Sequence, residues 1–130
     1  MGSFASQLNP SPKHGGEVIM ANSKLAKLPS SLFSASFYLK KLDLSRNRLS
    51  VLPSVFANLA ALEELNLSVN NFSHFPVDIL ALLRLKEIDL SFNNIQEIPT
   101  GVSTLKNVTH LSMKTNKLYQ LPVELGSLEK

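Results

Sequence analysis

The residues of this chain that could carry chemistry are few and poorly placed for it. Its three histidines are His14, His74 and His110, and none stands at a ligand or triad spacing from another candidate. There is no cysteine, hence no thiolate chemistry and no disulfide framework. The five glycines are scattered and form no phosphate-cradling loop. The expectation is a chain that is not an enzyme and that holds no cofactor and no metal.

The N-terminus offers a different chemistry. Met1-Gly2-Ser3-Phe4-Ala5-Ser6 fits the N-myristoylation pattern, with Gly2 the acylated residue once Met1 is removed. Residues 3–16 are polar and rich in Ser, Pro and Gly, as suits a flexible leash. A single myristoyl chain holds weakly, with an association constant of about 10⁴ M⁻¹, so a second signal is needed. Lys24, Lys27, Lys40, Lys41, Arg46 and Arg48 could supply it by charge. Weak membrane attachment of a cytoplasmic protein is therefore expected. Three glycosylation sequons begin at Asn66, Asn71 and Asn107. Residues 1–16 lack the apolar core of a secretory signal, so the sequons are read as a by-product of an Asn- and Ser-rich sequence.

Whatever these residues do, a core must position them. The chain has 130 residues, enough for one domain, and 44% are hydrophobic. The net charge of +3 is too small to argue for nucleic acid, and none is expected as a partner. The charge is uneven: residues 1–60 carry seven bases and two acids, and residues 61–130 carry six bases and eight acids. No apolar run reaches the roughly 18 residues of a membrane span.

The organising feature is an internal repeat. Leu39, Leu62, Leu85 and Val108 follow one another at 23-residue intervals. In register with them, Asn recurs at 47, 70, 93 and 116, and Pro at 53, 76, 99 and 122. Apolar residues fill 42, 44, 49 and 52 and their equivalents. A weaker copy precedes them with 24-residue spacing (Val18, Met20, Ser23, Leu25, Leu28, Pro29). The shared pattern, L-x-x-L-x-L-x-x-N-x-L-x-x-L-P, resembles leucine-rich repeats over about residues 15–130. Its Leu-Pro pair is similar to the cytosolic class found in Ras-pathway scaffolds and plant Ras-group repeat proteins. The start of the chain is similar to that of small myristoylated members.

The resemblance implies an α/β solenoid: a horseshoe arc with a concave parallel sheet and a convex side of turns and short helical segments. The expected organisation is a tail at 1–14 and repeats at about 15–38, 39–61, 62–84, 85–107 and 108–130. Physical chemistry accounts for the columns. Leu-x-x-Leu-x-Leu alternates as a strand with one buried face does. The chain then turns inward and buries backbone groups. Asn47, Asn70, Asn93 and Asn116 can satisfy these, because an amide both donates and accepts, so a ladder to the loops of their own and the next coil is expected. Ser23 can do less. The proline disfavours a second regular strand. Lys130 ends a repeat block without a polar cap, so an open or frayed end is expected there, lined by Leu111, Met113, Leu118, Leu121, Leu125 and Leu128.

Once the leucines are assigned to the core, recognition falls to the positions left free. The strand positions expected to face outward form four columns. They are Ile19/Asp43/Asn66/Asp89/Ser112, Ala21/Ser45/Ser68/Ser91/Lys114, Asn22/Arg46/Val69/Phe92/Thr115 and Glu17/Lys41/Glu64/Glu87/His110. Concave solenoid faces are extended recognition surfaces. The residues expected to bind a protein partner are Asp43, Arg46, Asn66, Val69, Asp89, Phe92, His110, Ser112 and Lys114, with Val69 and Phe92 as apolar anchors. The expected function is that of an adaptor or scaffold in intracellular signalling at a membrane. Two alternatives stand beside it: the N-terminal repeats of a larger signalling protein with a kinase, phosphatase or GTPase module, and an extracellular receptor fragment.

Overall fold

The computed structural model describes residues 16–33 and 38–119. Alternating apolar residues form five short strands: β1 (Gly16–Ile19), β2 (Leu39–Asp43), β3 (Glu64–Asn66), β4 (Glu87–Asp89) and β5 (His110–Ser112). They pair in parallel and in sequence order as one sheet. From β2 onward each strand pairs with the next at a 23-residue offset, so Asp43, Asn66, Asp89 and Ser112 lie side by side. β1 pairs with β2 through a register shift between Gly16 and Glu17. That shift accommodates the 24-residue spacing between Val18 and Leu42.

The inward strand residues are buried, among them Leu42, Leu65 and Ile88, as are Leu44, Leu67 and Leu90 just beyond. Each coil then reaches its proline and closes on the convex side in a 3-10 segment. These run over Ser30–Phe33, Ser54–Asn58, Val77–Ala81 and Thr100–Thr104. Pro53, Pro76 and Pro99 sit at the N-caps in extended conformation, and their carbonyls accept from the amides of Phe56, Ile79 and Val102. Proline thus starts the turn without needing a donor of its own. A coil of 23 residues leaves room for about one turn here, which is why the helical segments are short. Phe56, Ile79 and Val102 drop from these turns into the core. Phe33 meets Phe56 edge to face, with centroids 6.3 Å apart.

The asparagines form the expected ladder, but in the opposite direction. Each bonds the backbone of its own and the preceding coil, not the next. Asn47 Oδ1 accepts from the amides of Ser23 and Leu25, and its Nδ2 donates to the carbonyls of Met20, Leu44 and Ser45. Asn70, Asn93 and Asn116 repeat this one, two and three coils further on, toward Leu49, Phe72 and Ile95. The reason is that the strand ends before the Asn, and the loop within reach of its amide is the one already laid down. Ser23 donates its hydroxyl to the Ala21 carbonyl within its own turn.

The residue before each asparagine is forced into a left-handed conformation. φ is 57° at Arg46, 55° at Val69, 57° at Phe92 and 55° at Thr115. The amides of Arg46, Val69 and Phe92 donate to carbonyls of the next coil, at Ser68, Ser91 and Lys114, which holds the geometry. These residues are therefore not strand positions, as the sequence suggested, but stand at the turn beyond the strand ends. An L-residue in this region costs roughly 1–2 kcal/mol, worst for a β-branched one. Glycine avoids that but loses about 0.5–1 kcal/mol through the unfolded chain. Val69→Gly is therefore expected to stabilise the domain by up to about 1 kcal/mol in urea titration. A lower midpoint would show that packing of the Val69 side chain outweighs its backbone strain.

At the other end, Leu111, Met113 and Leu118 are only partly buried, whereas their counterparts Ile88, Leu90 and Ile95 are buried. Leu121, Leu125 and Leu128 lie outside the described residues, as does the tail at 1–14.

Candidate interaction face

The outward side of the sheet is an open groove of about 380 Å³. Two columns line it. One runs Glu17, Lys41, Glu64, Glu87, His110; the other runs Asp43, Asn66, Asp89, Ser112. The structure thus brings Asp43, Asn66, Asp89, His110 and Ser112 together, as expected from the sequence. Arg46 and Lys114 are exposed at the turn end of the strands, outside the groove lining. Phe92 is 48% exposed there and Val69 is half-buried. At the far edge Ile19 is also exposed.

The serine column is a correction. Ser45, Ser68 and Ser91 were expected to face outward, but they are buried. Each supports its neighbour two residues back. Asp43 Oδ1 accepts from the Ser45 amide at 2.9 Å. Asn66 Oδ1 accepts from the Ser68 amide and hydroxyl at 3.0 and 2.7 Å. Asp89 Oδ1 accepts from the Ser91 amide and hydroxyl at 2.9 and 2.6 Å. The serines therefore fix the orientation of the groove column, and each side chain keeps its second polar atom free of protein hydrogen bonds among the described residues. That fixing lowers the entropy lost when a partner binds.

Charge on the face is ordered. Glu63 stands between Lys40 and Lys86, at 3.9 and 3.5 Å, and balances the rim at the start of the strands. Glu64 pairs with Lys41 at 3.5 Å. Glu87, Asp43 and Asp89 have no cation within salt-bridge distance among the described residues. The rim trio was missed at the level of sequence, although Lys40, Glu63 and Lys86 follow the 23-residue spacing and could have been found from it.

His110 Nδ1 lies 3.0 Å from Thr109 Oγ1, and His74 Nδ1 lies 3.2 Å from Ser73 Oγ, both exposed. Among the described residues, no group of three or more His, Asp or Glu is arranged to hold a metal. Nor is any helix there long and apolar enough to cross a membrane. Gly2 and His14 lie outside the described residues.

An in-register parallel sheet on one side of a coil, with an asparagine ladder beneath it, defines a solenoid of short repeats. The chain belongs to the leucine-rich-repeat family: residues 17–72 and 84–105 match two family models, each described as leucine rich repeat. Among solved structures it is similar to a leucine-rich-repeat protein of Leptospira interrogans, with 26% identity and a TM-score of 0.76 over 97% of this chain and 38% of that one. It is also similar to the BIR2 ectodomain of Arabidopsis thaliana, at 33% identity and TM-score 0.69, over 82% of this chain and 58% of that one. A third is the ectodomain of the Arabidopsis receptor kinase GASSHO1/SCHENGEN3, solved with CASPARIAN STRIP INTEGRITY FACTOR 2, at 31% identity and TM-score 0.67. That match covers 79% of this chain and 13% of the receptor chain. The chain thus spans less than two thirds of the length of each. No curated protein sequence matches it significantly.

Proposed function

We propose that this chain is a protein-interaction module that seats its partner in the concave groove, with Phe92 as an anchor at the groove's rim. The observation that carries this is Phe92 itself: a large aromatic side chain, 48% exposed, held at a left-handed turn beside a preorganised polar groove. Aromatic anchors ringed by polar groups dominate binding energy at interfaces. The module acts as a cytoplasmic adaptor or scaffold in signalling. Its Leu-Pro pairs and its lack of cysteine support that setting. Acylation of Gly2 would tether it to a membrane.

Capture from lysate with the full chain as bait tests this. Phe92→Ala should weaken retention of specific partners by at least about fivefold, corresponding to more than about 1 kcal/mol, with thermal stability almost unchanged. Asn66→Trp, which fills the groove, should do the same. Retention unaffected by both variants would place the binding surface elsewhere. Intact mass of the same bait, made in a eukaryotic cell, reports acylation at Gly2 and its loss in Gly2→Ala.

A second reading draws on the likeness to plant receptor ectodomains: a receptor fragment exposed outside the cell. Asn71 and Asn107 are both exposed. Sensitivity of the native protein to a glycosidase would favour it.

A further inference from the structure

We propose that the groove is built for a cationic linear segment, with basic side chains seated on Asp43 and Asp89. This rests on the concave face being the interaction surface and adds the chemistry of what it binds. Three observations meet here. The first is a reversal of charge. The chain as a whole carries +3, yet five carboxylates (Glu17, Asp43, Glu64, Glu87, Asp89) and one ammonium (Lys41) line the groove. A concave surface with low-dielectric walls focuses such a field and draws in the opposite sign.

The second is which of those charges are unspent. The Lys41 ammonium is taken by Glu64, at 3.5 Å. Asp43, Glu87 and Asp89 line the groove without a cation at salt-bridge distance among the described residues. Asp43 and Asp89 each engage Oδ1 with the serine two residues on and leave Oδ2 open. Their carboxylates are therefore oriented before any partner arrives.

The third is spacing. Asp43, Asn66 and Asp89 are in register on three consecutive strands. Strands lie about 4.8 Å apart, so the two carboxylates are roughly 10 Å apart, with an amide donor between them. A segment in polyproline II conformation repeats a side-chain direction every three residues, or about 9.3 Å. Laid across the strands, it would set bases three residues apart over Asp43 and Asp89 and turn a backbone carbonyl toward the Asn66 Nδ2. An apolar residue of the segment can reach Phe92, which follows Asp89 by three residues in the same coil and stands exposed at the turn beyond β4. Arginine suits the carboxylates best, because its fork matches them in two-point contact.

The test uses the full chain and a fluorescent peptide probe with two arginines three residues apart in a Pro- and Thr-rich sequence. The comparison probe has glutamates in their place. Binding is read by anisotropy at about 50 mM and about 300 mM sodium chloride, on either side of the ionic strength at which screening falls to ~10 Å. The arginine probe should bind and weaken with salt, and the glutamate probe should not bind. Asp43→Asn and Asp89→Asn should each weaken binding about tenfold, as removal of a charged hydrogen-bond partner does. Both variants should fold, since Asn66 already makes the same contact with its serine in the coil between them. Equal binding of the two probes, binding indifferent to salt, or binding unchanged in the Asp43→Asn/Asp89→Asn double variant would each overturn the proposal. So would failure of the arginine probe to bind. If Phe92→Ala and Asn66→Trp still abolish partner capture when the arginine probe fails, the face binds a partner of other chemistry. If those variants leave capture intact, it is the concave face itself that was wrongly assigned.

Discussion

Asn70→Ala should lower the stability of the domain by about 2–3 kcal/mol, the upper part of the range for leaving a buried donor unpaired. The Asn70 side chain is buried between two coils. Its Oδ1 accepts from the Leu49 amide at 2.9 Å, and its Nδ2 donates to the carbonyls of Leu44, Leu67 and Ser68 at 3.0, 3.1 and 3.2 Å. Leu44 and Leu67 also receive the amides of Asn47 and Asn93, so their carbonyls would lose one donor of two. The Leu49 amide would lose its only side-chain partner. Asn70→Asp should cost at least as much, because a carboxylate keeps the acceptor but turns a negative charge on three carbonyl oxygens. Urea titration followed by circular dichroism measures both. A loss under about 0.5 kcal/mol, typical of an unconstrained surface position, would mean that the ladder does not hold the coils together.

Phe56→Ala should have the largest effect of any single truncation considered, about 3–5 kcal/mol. The ring is fully buried and reaches the core from the convex turn, where it stacks edge to face on Phe33. Truncation leaves a void that flanking coils can fill only by moving their own packed columns, including Leu32 and Ile79. Phe92→Ala removes a ring of the same size from an exposed turn and should change stability by no more than about 0.5 kcal/mol. The pair separates core from anchor with one residue type. Equal losses for the two would mean that Phe92 packs into the domain and cannot serve a partner.

Much of this protein was legible in its sequence because each repeated column has one physical role. An apolar residue every second position can bury only one face of a strand, so the alternation and the 23-residue period together give the parallel sheet and its register. The recurring Asn after each strand marks a buried turn in need of a side chain that donates and accepts. The proline six residues later marks the place where the chain stops making sheet and turns over the convex side. The columns Glu17 to His110 and Asp43 to Ser112 follow at once, since whatever is not buried in an alternating strand faces out.

Alternation carried too far accounts for what was misplaced. Extended past the strand end, it put the serines and Arg46, Val69 and Phe92 on an outward strand face. The chain has already left the strand by then: the left-handed turn rotates the serines inward and throws the next residue to the rim. The ladder's direction was also unreadable, because a sequence period is the same in both directions along the axis. Only the handed path of the chain makes the preceding loop the one each amide can reach. Pairing among charges was the third such matter. The lysines and glutamates at 40, 63, 64 and 86 are visible in the sequence, but not which of them neutralise one another. Side-chain reach between adjacent coils decides that Glu63 and Glu64 are paired while Asp43, Glu87 and Asp89 are left to face the groove. The sequence alone determined the repeat, the core and the face that is free. The tertiary structure decided which way the coils lock and where on that face negative charge remains, because both depend on distances between residues that are far apart along the chain.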